Sequence, residues 1–150
     1  MFANNEIGTI EPLAEISKIA KAKNILFHTD AVQAMGNIKF KIEDIGVDML
    51  SLSGHKLGAP KGVGLLYVKE GIELDSFLDG GEQERGQRAS TENLASIVGL
   101  ARALEDAYNN IEERTSITRE LRDYTIEKLL NIDGVILNAV SYTHLTLPTM

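Results

Sequence analysis

The chain has no cysteine among its 150 residues. That removes a disulfide framework, a thiolate metal site and a thiol nucleophile from it. Positive charge is also scarce. Fifteen Lys and Arg face 22 Asp and Glu, a formal net charge of −7, where a nucleic-acid binder would carry a basic excess. No apolar run is long enough to span a bilayer, and the start shows no signal-peptide pattern. The three histidines, His28, His55 and His144, lie far apart without metal-ligand spacing, so no metal site is expected. There is no internal repeat and no low-complexity linker. What is present is the length of one ordinary domain with 43% hydrophobic residues, enough to bury a core. A soluble cytoplasmic protein is the expectation.

The remaining chain is arranged around residues 51–64, Ser51-Leu-Ser-Gly-His-Lys-Leu-Gly-Ala-Pro-Lys-Gly-Val-Gly64. Lys56 stands there beside Ser53 and His55, with Gly54 and Gly58 relieving the backbone on either side. Asp48 to Leu52 and Val63 to Val68 read as buried strands flanking it. Two readings fit. One is a polar surface turn whose lysines serve solubility. The other is a lysine that forms an imine with a carbonyl cofactor, beside hydroxyl and imidazole groups that hold a phosphate. A phosphate-binding P-loop is excluded, because no glycine is followed at the required spacing by Gly-Lys-Ser or Gly-Lys-Thr. The dinucleotide fingerprint fails as well, since Tyr67 stands where a third glycine should follow Gly62 and Gly64.

In chain order, Phe2 to Gly8 reads as a strand end passing into a loop, with Asn4, Asn5 and Glu6 where the strand stops. Pro12 suits the first turn of a helix with Leu13, Ile16, Ile19 and Ala20 on one face and Asn24 as its stop. Ile25 to His28 is a candidate buried parallel strand, ending in Thr29-Asp30-Ala31-Val32-Gln33. A carboxylate at the carboxyl end of such a strand is where open α/β sheets put ligand groups. A helix N-cap is the other use of Asp30. Ile42 to Gly46 is a short helical or irregular link. Residues 80–88 form a polar, glycine-punctuated loop, after which Ser90 or Thr91 can cap a helix with Leu94, Ile97, Val98, Ala101 and Leu104 facing inward. A second helix, roughly Ile111 to Leu130, carries Ile117, Leu121 and Tyr124 on a stripe, and Val135 to Leu137 reads as a last strand. The alternation predicts an α/β fold with a mostly parallel sheet.

Several strand ends converge in chemical type: Asn5, Asp30 with Gln33, and Ser53-His55-Lys56. An aldehyde cofactor with a ring nitrogen and a phosphate would use each of them. An amine forms the imine, a carboxylate keeps a pyridine nitrogen protonated, amides reach the ring oxygen, and hydroxyl and imidazole donors hold the phosphate.

Four stretches carry a family resemblance: Asn4-Asn-Glu-Ile-Gly-Thr-Ile10, His28-Thr-Asp-Ala-Val-Gln33, Ser53-Gly-His-Lys-Leu-Gly-Ala-Pro-Lys-Gly-Val-Gly64, and Gly80-Gly-Glu-Gln-Glu-Arg-Gly-Gln-Arg-Ala-Ser-Thr-Glu-Asn93. In this order and at these separations the chain, to about Asn138, resembles cysteine desulfurases of the NifS/IscS kind. These are class V aminotransferase-like, fold-type I pyridoxal phosphate enzymes. The resemblance implies that Lys56 carries pyridoxal 5'-phosphate and later moves the α-proton, and that Asp30 pairs with the pyridine nitrogen. It implies that Asn5 and Gln33 contact the ring's oxygen side and that Ser53 and His55 hold the phosphate. Thr91 stands where the family's Arg-Ser-Gly-Thr-like motif reaches the phosphate of a partner subunit. The motif here reads Arg88-Ala-Ser-Thr91, so Ser90 replaces its glycine. A homodimer is implied, with L-cysteine as substrate and a sulfur-acceptor protein, such as an iron–sulfur scaffold, as partner.

The family's cysteine nucleophile, the arginine that grips the substrate carboxylate, the ring stacked on the cofactor and the phosphate loop have no counterpart here. The chain therefore reads as a central fragment, inactive alone. Residues 1–110 would be a partial cofactor-binding large domain, 111–139 the connecting helix and start of a small domain, and 140–150 a tail of unclear origin. Missing sheet strands would leave apolar edges exposed. A selenocysteine lyase or another class V enzyme is an alternative within the fold. A non-catalytic remnant that binds a partner through its long helices is the alternative outside it.

Overall fold

The computed structural model of the chain describes residues 1–139. The expected tail, residues 140–150, and His144 lie outside the described residues. The elements are α1 (Leu13–Ala22), β1 (His28–Asp30), α2 (Ile42–Ile45), β2 (Met49–Ser53), β3 (Gly64–Val68), α3 (Leu94–Asn109) and α4 (Ile111–Leu130), with single 3-10 turns at Gly54–Leu57 and Gln83–Gly86.

The strands form one sheet in the order β1-β2-β3. β1 runs parallel to β2, with Asp30 opposite Ser51. β3 returns antiparallel, with Ser53 opposite Gly64. The α/β class holds, but the described sheet is mixed rather than mostly parallel. The reason is local. Only the short turn at residues 54–63 joins β2 to β3, and a parallel return needs a crossover of a dozen or more residues.

β2 alternates in burial, with Leu50 and Leu52 inside. Around them pack Phe2, Leu13, Ala31, Ala34, Ile45, Val47 and Leu100. Taking a leucine such as Leu50 fully out of water contributes about 1.5–3 kcal/mol. The Phe2 ring meets Phe40 edge-on at 5.0 Å. α1 enters the core through Leu13 and Ser17, whereas Ile16 and Ile19 face outward. The Ser17 hydroxyl donates to the Gly46 carbonyl at 2.6 Å. A Cβ at Gly46 would stand 2.6 Å from that hydroxyl oxygen, so the joint between α1 and α2 has no room for a side chain.

Several other expectations are corrected. The run Val63 to Val68 does form β3 but is not buried, since Gly64, Leu65 and Leu66 are exposed. The run Ile25 to His28 is not a buried strand: Ile25 and Leu26 are exposed and the strand starts only at His28. Asn24 does stop α1, in the left-handed region at φ 55°, and its turn leaves Ile25 bonded back to Ala20. α3 is capped by Asn93, whose side chain accepts from the Ser96 N–H at 3.3 Å, not by Ser90 or Thr91. Its buried face carries Ser96, Leu100 and Ala107, which leaves Leu94, Ile97 and Val98 exposed. Val135 to Leu137 is irregular and exposed. On α4, Ile111 is buried while Ile117, Leu121 and Tyr124 are more than half exposed. The break between α3 and α4 at Asn110 is where the large domain was expected to end.

Candidate active site

Parallel pairing puts the carboxyl ends of β1 and β2 side by side, and most of the candidate residues follow from that. β1 ends at Asp30 and β2 two residues beyond its partner Ser51, at Ser53. Past Asp30 the chain turns through Ala31 and Ala34, both fully buried, and this turn carries Gln33. Past Ser53 the 3-10 turn Gly54–Leu57 carries His55 and Lys56. Phe2 lies along β1, its N–H donating to the Asp30 carbonyl at 2.7 Å. Asn5 therefore sits three residues from the end of the same strand. Thr91 is the exception. It is exposed, in the segment leading into α3, and no hydrogen bond among the described residues ties it to the others.

Each group is held by local structure. One oxygen of the Asp30 carboxylate, Oδ1, accepts the Val32 N–H at 2.8 Å. Asp30 thus caps the turn after its strand through one oxygen and remains exposed. The capping use and the ligand use of this carboxylate are compatible. Asn4 supplies its Oδ1 to the N–H groups of Glu6 and Ile7 at 2.8 and 3.1 Å. It fixes the loop that carries Asn5, a role the sequence showed only as a run of polar residues. Ser53 Oγ and His55 Nδ1 are 2.8 Å apart and hydrogen-bonded.

Lys56 owes its place to a tight turn. The Gly54 N–H donates to the Val63 carbonyl at 2.9 Å, and the Ala59 N–H to the Gly54 carbonyl at 3.1 Å. A Cβ at Gly54 would lie 2.9 Å from both the Val63 carbonyl oxygen and its Cγ1. Gly58 closes the turn at φ 85°. Lys56 is half-buried on it. A cleft of about 440 Å³ opens between residues 57–60 and the helices α3 and α4, and none of the candidate residues lines it.

A further residue acts from the opposite end of the strands. Asp48 is 8% exposed. Its carboxylate accepts the Phe27 N–H at 3.0 Å and stands 3.7 Å from the Lys69 ammonium. It sets β1 against β2 and so fixes where Asp30 emerges. A charged residue opening an otherwise apolar run, Val47-Asp48-Met49-Leu50, was the available signal.

Residues 1–147 match the family model for class V aminotransferases. The chain belongs to this family. Within it, the chain is 50% identical over 140 residues to cysteine desulfurase IscS of Clostridium botulinum, covering 93% of this chain and 32% of that protein. It is 52% identical over 138 residues to the IscS of Methanosarcina thermophila, covering 92% and 34%. The chain thus spans about a third of the length of these relatives. Among solved structures, a NifS-like protein superimposes with a TM-score of 0.91 at 41% identity, covering 97% of this chain and 40% of that one. SspA in complex with cysteine superimposes with a TM-score of 0.66 at 44% identity, covering 69% and 30%.

Class V enzymes are pyridoxal 5'-phosphate enzymes, and the donor set here fits that group in kind. An amine, an exposed carboxylate, two amides, and a hydroxyl with an imidazole stand on segments that join the ends of neighbouring strands. Lys56, Asp30, Asn5 with Gln33, and Ser53 with His55 are the residues that would hold it. Bound there, the cofactor would supply an electron sink for a substrate carbanion.

Proposed function

We propose that this chain is the cofactor-holding part of a cysteine desulfurase. The whole protein would convert L-cysteine to L-alanine and pass the sulfur, held as a persulfide, to an acceptor that builds iron–sulfur clusters or other sulfur-containing products. One observation carries the reading: the parallel ends of β1 and β2 deliver Asp30 and Ser53-His55-Lys56 to the same side of the sheet. The similarity to IscS proteins over 93% of the chain supports the substrate class, and SspA, a structural neighbour, is described with cysteine bound.

In this reading the Lys56 amine anchors the cofactor and moves the α-proton of the substrate. The Asp30 carboxylate would pair with the ring nitrogen, Gln33 and Asn5 would bond the ring oxygen, and Ser53 and His55 would seat the phosphate. Thr91 serves the phosphate of a second subunit in a cytoplasmic homodimer. The large domain would run to residue 110, and residues 111–139 would hold the connecting helix and the start of the small domain. The sulfur nucleophile lies outside this chain, which has no cysteine, so the chain alone transfers no sulfur. Sulfide or persulfide production by the pure chain would refute that statement.

A contact role without chemistry has one observation in its favour, the exposed stripe of Ile117, Leu121 and Tyr124 on α4. Lysine labelling separates the two readings. The chain is incubated with pyridoxal 5'-phosphate, reduced with borohydride, and the modified lysine is mapped. Label on Lys56, lost in Lys56→Ala, is the expected result. Folded chain with label scattered over surface lysines would leave only the contact role.

A further inference from the structure

We propose that Ser53 and His55 form a proton-linked oxyanion seat, in which binding a phosphate group converts His55 to imidazolium and takes up one proton. The proposal rests on the phosphate-holding role given to this pair above and adds the charge state in which they perform it. The geometry behind it is the 2.8 Å contact between Ser53 Oγ and His55 Nδ1.

A serine hydroxyl has one hydrogen to donate. A neutral imidazole has one N–H and one acceptor nitrogen, and an imidazolium has two N–H groups. When the neutral ring carries its proton on Nε2, Nδ1 must accept from Ser53. The only O–H of Ser53 is then spent inside the pair, which leaves an arriving anion the ring Nε2–H alone and turns the Ser53 oxygen lone pairs toward it. When the neutral ring carries its proton on Nδ1, the hydroxyl is released but Nε2 turns a lone pair outward. Only the imidazolium resolves both conflicts. Its Nδ1–H donates to Ser53 Oγ, the Ser53 O–H turns to the anion, and Nε2–H becomes a second, charge-assisted donor. The phosphate thus selects the protonated ring, and by linkage the protonated ring binds phosphate more tightly.

The surroundings permit this. His55 is exposed, so its proton exchanges with solvent. The charged groups about the turn are Lys56 beside it, Asp30 at the end of β1, and Lys61 on the way to β3. On α3, which packs against this turn, Arg102 pairs with Glu105 and Asp106. Imidazole is the side chain whose unperturbed charge change falls between pH 5 and 8, which sets the range of the test.

Sulfate is the probe, because it does not itself titrate there. The ring signals of His55, assigned with His55→Gln, are followed by NMR across pH 5 to 8 with and without sulfate, at constant ionic strength set by chloride. His28 on β1 is the internal control. The expected result is that sulfate shifts the His55 signals and raises its titration midpoint while His28 stays put. Sulfate affinity then falls up to about tenfold per pH unit above the midpoint of the free protein. If sulfate perturbs His55 but its midpoint and the affinity stay constant with pH, the linkage is overturned and the phosphate seat stands. If neither sulfate nor pyridoxal 5'-phosphate perturbs His55 at any pH, the seat itself is wrong and the linkage falls with it.

Discussion

Two glycine-punctuated loops differ in how the backbone uses its glycines. In the loop of residues 53–64, the positive φ values fall on Gly58 and Gly62, and Gly54 sits where any side chain would strike the Val63 backbone. In the loop of residues 79–91, Gly80 and Gly86 also have positive φ, but so do three residues that are not glycine: Glu84 at 49°, Arg85 at 59° and Ser90 at 102°. A Cβ at Gly81 there would press only on the flexible side chain of Gln83. The first loop is closed by its own backbone hydrogen bonds and presents Lys56. The second also has backbone bonds of its own, from Gly86 to Glu82 and from Gln87 to Glu84, but it is largely exposed and holds a conformation that costs energy at non-glycine residues. A loop of the first kind can position a reacting group by itself, whereas one of the second kind fits a segment that relies on something beyond the chain. That agrees with the role proposed for Thr91 toward a second subunit.

The largest effect that would break this contrast is at Gly54. In Gly54→Ala the methyl group meets a backbone carbonyl that cannot rotate away. Overpacking of this kind costs about 1–3 kcal/mol, and contact with backbone puts this site at the upper end. A urea midpoint unchanged from wild type would show that the first loop is not tight. Borohydride labelling at Lys56 should fall in parallel, because the same turn carries the lysine.

Next comes Asp48→Ala, at the other end of the strands that feed the first loop. It leaves the Phe27 N–H without its acceptor, and a buried unsatisfied group costs about 1–3 kcal/mol. The expected loss is about 2 kcal/mol in urea unfolding, with faster amide exchange at Phe27 and along β1. Exchange unchanged in β1 would mean that Asp48 does not set the strand. Ser90→Gly works in the opposite direction on the second loop. It relieves a left-handed serine but gives the unfolded chain more freedom, which offsets part of the gain. A net stabilisation of about 1 kcal/mol at most is expected. Destabilisation would show that Ser90 is not strained and would erase the difference between the loops.

The same contrast governs what could be read beforehand. Ser53 to Gly64 was legible because its glycines stand where the backbone needs them, between two apolar runs that became β2 and β3. Asp30 was legible as a carboxylate ending a strand, although the strand began later than the apolar run Ile25-Leu-Phe suggested. Hydrophobicity marked neither burial nor register there, since Ile25 and Leu26 are exposed and the Asp48 side chain that bonds Phe27 is polar. The helices were found, but their faces only in part: Leu13 and Leu104 pack against the core as expected, whereas Ile16, Ile19, Leu94, Ile97 and Val98 are exposed. On α3 the residues packed inward are Ser96, Leu100 and Ala107, while leucine, isoleucine and valine point out. A periodicity argument assigns the larger apolar side chains to the core of the same chain. It fails on α3, where a serine and an alanine are packed inward and Leu94, Ile97 and Val98 are exposed. The serine at position 90 could be seen as a departure from the family motif, but only the φ of 102° shows that the position still asks for glycine.

The smallest expected effect tests how loosely α4 is attached to the part of the chain that carries the first loop. Lys39, just before α2, pairs with Glu112 in the first turn of α4 at 2.7 Å. The hydrogen bond to Lys39, and then its charge, hold the Glu112 carboxyl below its ordinary range. The same contact holds the Lys39 ammonium above its own. Because Glu112 is depressed on folding, its contribution is present above the ordinary glutamate range and is lost as the pH falls through its folded value. Lys39, being raised, contributes below the ordinary lysine range and loses that contribution as the pH rises through its folded value. Between those limits the pair is intact and nearly independent of pH. Both groups are open to solvent, and such pairs contribute little and are screened by salt. Glu112→Gln should therefore leave the neutral-pH urea midpoint almost unchanged. It should make the loss of stability on the acid side slightly shallower, and 1 M salt should erase that difference. An acid limb that steepens in the variant would mean that the pair does not join α4 to residue 39 in solution. α4 would then be attached through its buried Ile111 and its junction with α3.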